Sequence, residues 1–302
     1  MKTLFSGKKR FGPVELLFQN FIRRTNKHLA KANFKKSRHR LAIFSFDHIG
    51  LMINQYGVYE GEELGLVFDF LSPLHDRFEQ TTILDIGANI GNHAVYFSEY
   101  FDEVHAFEPN PRTFELLGFN TSDIDNISCH KHGLSTNKGS AILFQDDKNM
   151  GASFVGEEKD RPGTKTKSIK IQLKTLDQIH KNLGDVSAIK LDVEGMELDV
   201  LKGGKEFLDA AKPLVFFELL QSDFKNGSTG SLEFLGSLGY RFCWIDKGET
   251  RESGLKSLAA FFKGIFITPK NRIVTDNVIP ERYHPFVIAV PPAMAAKLSM
   301  ET

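Results

Sequence analysis

From Thr82 onward, short apolar runs alternate with segments of helical periodicity, a pattern that a chain satisfies by stacking helices on the faces of a sheet. The runs at 82–86, 103–107, 127–131, 187–191, 213–217, 240–244 and 264–268 have strand length. Between them, 91–101, 112–120, 175–182, 196–209 and 230–238 repeat apolar residues at helical spacing, where right-handed crossovers require helices. The alternation predicts an α/β fold over 81–270 with a doubly wound, mostly parallel, seven-stranded sheet. From Gly139 to Leu173 the rhythm breaks. That stretch predicts a β-hairpin around a polar loop holding Asn149-Met150-Gly151-Ala152-Ser153 and Arg161-Pro162-Gly163, an insertion suited to be a lid. Upstream, 41–80 reads as an N-terminal cap, in which Tyr59-Glu60-Gly61 precedes a helix that Ser72-Pro73 ends. Past Pro269, the prolines at 280, 285, 291 and 292 predict an irregular tail over 271–302.

The first strand runs into Asp85-Ile86-Gly87-Ala88-Asn89-Ile90-Gly91-Asn92 and then into a helix, the context of a nucleotide site. A dinucleotide loop needs glycine at three positions so that backbone can approach a pyrophosphate, and here Asn89 and Asn92 occupy the second and third. S-adenosylmethionine carries no phosphate. It asks only for a tight turn at Gly87, a close passage at Gly91 and helix N-terminal amides for its carboxylate. Glu108 ends the next strand about 20 residues past the first glycine, where a carboxylate accepts ribose hydroxyls, and Pro109 follows it. Asp85 holds the cofactor's amino group or braces the loop. Ala88 belongs to the same turn, and Ser135, after the third strand, is placed to meet the adenine by backbone contact.

The fourth strand ends in Lys190-Leu191-Asp192-Val193-Glu194-Gly195, and Glu218 ends the fifth, so three carboxylates reach the carboxyl edge where open α/β sheets bind ligands. Methyl transfer is an in-line displacement, which needs alignment and, for an unactivated hydroxyl, a base. Asp192, Glu194 and Glu218 are the candidate catalytic residues. A divalent metal held by the same acids is the less favoured alternative, because hard cations need more oxygen ligands than the sequence assigns. The structural alternative has Glu194 capping the following helix and Glu218 paired with Lys190. His93 and His132 are weaker candidate bases.

These residues resemble the FkbM family of S-adenosylmethionine-dependent methyltransferases. The resemblance is carried by Leu84 to Asn92, by Phe107-Glu108-Pro109, and by Ile189 to Glu197 with Val200-Leu201-Lys202-Gly203-Gly204. It runs from about Tyr59 to Phe266, and the third motif is the most specific. It implies a Rossmann-like class I methyltransferase fold with an N-terminal helical extension. It also implies O-methylation of a hydroxyl, in many relatives on a sugar of a glycolipid, polysaccharide or natural product. The cofactor set it implies includes Asp85, Gly87, Asn89, Gly91 and Glu108.

Charge is distributed unevenly. The formal net charge is zero, yet residues 1–40 hold twelve Lys or Arg against the single acid Glu15, a segment charge of +11. This basic arm, with Val14, Leu16, Leu17, Phe18, Phe21 and Ile22, either packs on the main domain or a second subunit, or meets an anionic membrane or acidic partner. The rival function is a non-catalytic binding module that holds an anionic polymer or membrane through the arm. No nucleic-acid partner is expected. Two cysteines at no metal-ligand spacing, and no apolar run near the roughly 20 residues of a membrane span, predict a cytoplasmic protein or one peripheral to the inner membrane face.

Overall fold

The computed structural model describes residues 12–36, 40–45, 47–146, 149–155, 166–247, 271–276 and 278–300. Its strands are β1 (Thr82–Ile86), β2 (Glu103–Phe107), β3 (Ile127–His130), β4 (Gly133–Leu134), β5 (Gly139–Asp146), β6 (Asn149–Val155), β7 (Thr166–Lys174), β8 (Val186–Leu191), β9 (Leu214–Leu219), β10 (Arg241–Asp246), β11 (Arg272–Val274) and β12 (His284–Val290). The main sheet has eight strands in the order β11-β10-β12-β9-β8-β1-β2-β3. The pairings from β9 through β8, β1 and β2 to β3 are parallel, while β12 pairs antiparallel with both β9 and β10.

Period-two alternation sends successive residues of each strand to opposite faces. Ile83, Val104, Ala188, Phe216 and Ile288 join one buried layer, with Leu64, Phe68, Phe78 and Phe97 from the helical side. Leu84, Phe107, Ile189, Val215, Phe217 and Val287 join the other, with Val200, Leu201, Leu208 and Leu235. Helices thus cover both faces, as a doubly wound sheet requires. β1 and β8 are buried along their whole length, so the charged residues they carry, Asp85 and Lys190, have to be paired inside the sheet.

Two sequence expectations change. Among the described residues the sheet has eight strands rather than seven, and the expected irregular tail over 271–302 contains β11 and β12, the latter inside the sheet and buried except for the half-buried Pro285. The prolines concealed it. Pro285 has no N–H to give, and the β9–β12 register shifts between His284 and Val287, so the strand absorbs the proline at an irregularity. The expected strand at 264–268 lies outside the described residues, as does Arg161-Pro162-Gly163.

The rhythm break after β3 is a second, four-stranded sheet in the order β4-β7-β5-β6. N-terminal to the main sheet lie the helices Pro13–Lys36, His48–Tyr56 and Gly61–Phe70. Among the described residues, no helix is long and apolar enough to cross a membrane. Cys243 is buried and Cys129 half-buried, and both thiols are free.

Candidate active site

The turn after β1 is stitched to both neighbouring strands. Gly87 and Ala88 N–H both donate to the Phe107 carbonyl at 3.0 Å, and Asp192 N–H donates to the Ile86 carbonyl at 3.0 Å. Gly87 sits at φ +83°, and a Cβ there would run into the Asp192 carbonyl oxygen, so no other residue fits. Asn89 is also left-handed, at φ +50°, a conformation that asparagine tolerates better than most residues. This bend aims the Asn89 N–H at Glu108 Oε2, 3.0 Å away, while Asn110 N–H reaches Oε1 at 2.8 Å. Glu108 is buried, and burial pushes its carboxyl up to about 7 against the pull of those two N–H donors and of Lys190. Asn110 then caps the helix Pro111–Thr121 through Oδ1 and Arg112 N–H at 3.1 Å.

Beneath the turn lies a buried cation. Lys190 Nζ is 3.2 Å from Asp85 Oδ1, and 3.3 Å from both Asp192 Oδ2 and the Gly87 carbonyl. Burial alone would lower its pKa, but the Asp85 and Asp192 carboxylates outweigh that and raise it, so Lys190 stays charged. Asp85 is fully buried and faces this ammonium rather than the cavity. The segment Val193–Gly195 is held by Glu197, whose Oε1 accepts from Val193 N–H at 3.3 Å and Gly195 N–H at 3.2 Å. Glu194 and Gly195 both have positive φ there, and Glu194 is exposed. The Gly203-Gly204 pair has a packing cause: a Cβ on Gly203 would strike the Ser135 carbonyl.

These elements surround a cavity of about 250 Å³ at the carboxyl edge of the sheet. Gly87, Asn89, Glu108 and Pro109 line it, with Phe107, Leu134 and Leu173 among its apolar walls. Asp192, Glu194 and Glu218 line it as well, so the structure brings the three predicted catalytic carboxylates into one cleft with Glu108. Burial pushes the Glu218 carboxyl up to about 7, with further lifting by Asp192 and an opposing hydrogen bond from Tyr283. Lys190 pairs with Asp85 and Asp192, which differs from the alternative pairing with Glu218. The helix after Glu194 starts at Glu197 without a side-chain cap, so Glu194 is not its cap.

Other predicted residues fall outside the lining. Ala88 and Gly91 shape the turn, and Gly91 N–H closes it on the Ala88 carbonyl at 2.9 Å. Asn92 clamps Tyr59, its Oδ1 accepting from Tyr59 N–H and its Nδ2 donating to the Tyr59 carbonyl, both at 3.0 Å. Ser135 N–H donates to the Lys174 carbonyl at 2.9 Å. His93 packs behind the wall with Nε2 3.2 Å from Glu60 Oε2. His132 lines a separate groove with His105, His130, Lys138 and Lys174, and burial together with Lys174 pushes its imidazole down to about 4. Neither histidine touches the cavity.

Sequence reasoning missed His48, Ile49, Tyr59 and Glu60, which wall the cavity from the N-terminal cap, and Pro285 and Phe286 from β12. The Tyr59-Glu60 pair was visible as the start of the family resemblance, but no local signal gave it a place at the site. The β5–β7 sheet contributes Leu143, Ile171 and Leu173, which puts the predicted insertion against the cavity. Among the described residues, no cluster of three or more His, Cys, Asp or Glu has the geometry to hold a metal ion.

Residues 85–242 match the family model described as the methyltransferase FkbM domain. Methyltransferase 1 of Beauveria bassiana is 28% identical over 148 residues, 41% of this chain and 59% of that protein. The hexuronic acid methyltransferase AglP of Haloferax volcanii is 32% identical over 134 residues, 43% of this chain and 52% of that protein. The matches therefore span little more than half the length of these relatives. A solved FkbM methyltransferase from Methylobacillus flagellatus KT shares 18% identity, covering 69% of this chain and 43% of that one, with a TM-score of 0.35. At that score the fold rests on the strand order itself. The family match takes in the turn after β1, Glu108, Asp192 and Glu218 across just over half of the sequence, and on it the chain belongs to the FkbM methyltransferase family.

Proposed function

We propose that the chain is an S-adenosylmethionine-dependent O-methyltransferase that acts on a sugar hydroxyl, with Glu218 as the general base. The observation that carries this reading is that Glu108 and Glu218, at the ends of two strands of one sheet, face a single cleft with their carboxyls both displaced to about 7. The residues present fit the cofactor. Each Glu108 oxygen accepts one backbone N–H, which leaves lone pairs for ribose hydroxyls. Phe107, Leu134 and Leu173 offer apolar surface for a base. Among the described lining residues, Glu60, Asp192, Glu194 and Glu218 against the one ammonium of Lys190 give the cleft a negative field, which suits a sulfonium and opposes a pyrophosphate.

S-adenosylmethionine, when bound, supplies a methyl carbon on positive sulfur, which departs as a neutral thioether. Glu218 accepts the proton of the attacking hydroxyl, and an acid displaced toward neutrality is a better base than an ordinary carboxylate. Asp192, tied to Lys190, keeps a negative charge near Glu218 and so supports its raised pKa. Glu194 stands at the exposed rim, where it meets the acceptor. The sugar acceptor is supported by the Haloferax volcanii relative, named as a hexuronic acid methyltransferase, and the carboxylates of the cleft offer hydrogen-bond acceptors to sugar hydroxyls. The reading is metal-free, because Glu218 itself takes the proton and Asp192 is engaged at 3.3 Å by the Lys190 ammonium.

Two outcomes test it. Glu108→Ala weakens S-adenosylmethionine binding by about 1.5–3 kcal/mol, the worth of hydrogen bonds to a charged group, as read by calorimetry. Unchanged affinity in a folded variant removes the ribose assignment. Transfer of a labelled methyl group to uronic acids and neutral sugars survives EDTA, and loss of turnover that added divalent metal restores replaces Glu218 with a metal mechanism.

A further inference from the structure

The helix Pro13–Lys36 leaves its apolar residues in solvent. Val14 is 81% exposed, Leu17 73%, Phe18 62% and Phe21 67%, and Ile22 is also exposed. At 100° per residue these five side chains share one sector of roughly 140°. Arg23, Arg24, Lys27 and Lys31 fill an adjoining sector of roughly 100°, with Leu16 inside it, and all four are exposed. Glu15 is the one acid in the helix. An apolar stripe flanked by basic residues is the pattern of a helix that lies in the plane of a lipid surface.

From this we infer that the helix docks the enzyme on an anionic membrane. Its apolar stripe enters the acyl boundary, and its basic sector meets acidic headgroups. Charge argues against a second copy of the chain as occupant, since pairing the arms would bring together two segments of +11 each. A bare polyanion such as nucleic acid would leave five large apolar side chains in water. The opposite end of the helix is fixed, because Asn33 Nδ2 donates to the Asn54 carbonyl at 3.0 Å. That bond lies on the helix His48–Tyr56, which gives His48 and Ile49 to the cleft, so docking holds the cleft close to the lipid surface. The inference stands independently of the methyl acceptor.

The test is sedimentation of the full chain with vesicles of phosphatidylcholine alone and of phosphatidylcholine with about one-third phosphatidylserine. The chain partitions at least about ten-fold more strongly to the anionic vesicles, and raised salt weakens that binding. Arg23→Gln with Arg24→Gln lowers the partition about 25-fold, at roughly five-fold per charge. Phe18→Glu with Phe21→Glu abolishes it, while calorimetry shows the same S-adenosylmethionine affinity as the parent and so reports an intact core. Equal binding to both vesicle types, or variants that bind like the parent, overturns the inference. So does a dimer in sedimentation velocity that Phe18→Glu with Phe21→Glu dissociates, because the stripe would then belong to a second copy.

Discussion

Glu218→Gln lowers kcat by about 10²–10⁴-fold, the usual contribution of a positioned base, while leaving S-adenosylmethionine affinity within a few-fold of the parent. The amide keeps the shape of the carboxyl and removes only its capacity to take a proton. In the parent, kcat rises with pH through about 7, because the base must be ionised and burial has lifted its pKa there. In the glutamine variant that limb disappears. Stability moves the other way. A carboxyl whose folded pKa stands above its ordinary value of 4.5 contributes stability below that value and loses it as pH rises through about 7. Glu218→Gln therefore gains stability relative to the parent at pH 8 but not at pH 4, by at most about 3 kcal/mol. A variant that turns over normally, or one that retains the pH limb, moves the base to another residue.

Lys190→Met destabilises the fold by about 3–5 kcal/mol, the cost of stranding a buried charge, and lowers the melting midpoint by on the order of 10 °C. The stranded group is Asp85, fully buried with the Lys190 ammonium beside it. Adding Asp85→Asn to Lys190→Met recovers much of the loss, since the remaining amide carries no charge. Thermal unfolding of the single and double variants reads both effects. A single variant that melts with the parent shows that Asp85 is neutral in the fold and that the pair does not hold the turn.

The proposed cofactor residues were legible because their constraints are local. Gly87 must turn and Glu108 must end a strand, and each requirement is written in the few residues around it. The proposed acceptor side was only half legible. Asp192 and Glu218 follow from strand ends, but their neighbours Tyr59, Glu60 and Phe286 arrive from far along the chain, and no short-range pattern encodes such a meeting. Lys190 shows the same limit. A lysine inside an apolar strand demands a carboxylate, yet Asp85, Asp192 and Glu218 were equally eligible by sequence, and only the β1–β8 register, which sets Asp85 against Lys190, chooses among them. The hidden strand β12 failed for another reason: turn residues at both ends, and a proline within, outweighed the apolar run Phe286 to Val290.

The paired bonds between the Asn92 amide and the Tyr59 backbone work like one extra rung of a ladder, fastening the cap to the start of the cofactor helix. Swinging the cap open as a door would break both bonds. On the proposed function, sugar and spent nucleoside pass by the wall that Leu143, Ile171 and Leu173 build. Changing that wall is then expected to move acceptor choice and nucleoside affinity together, because Leu173 also belongs to the apolar surface proposed for the base.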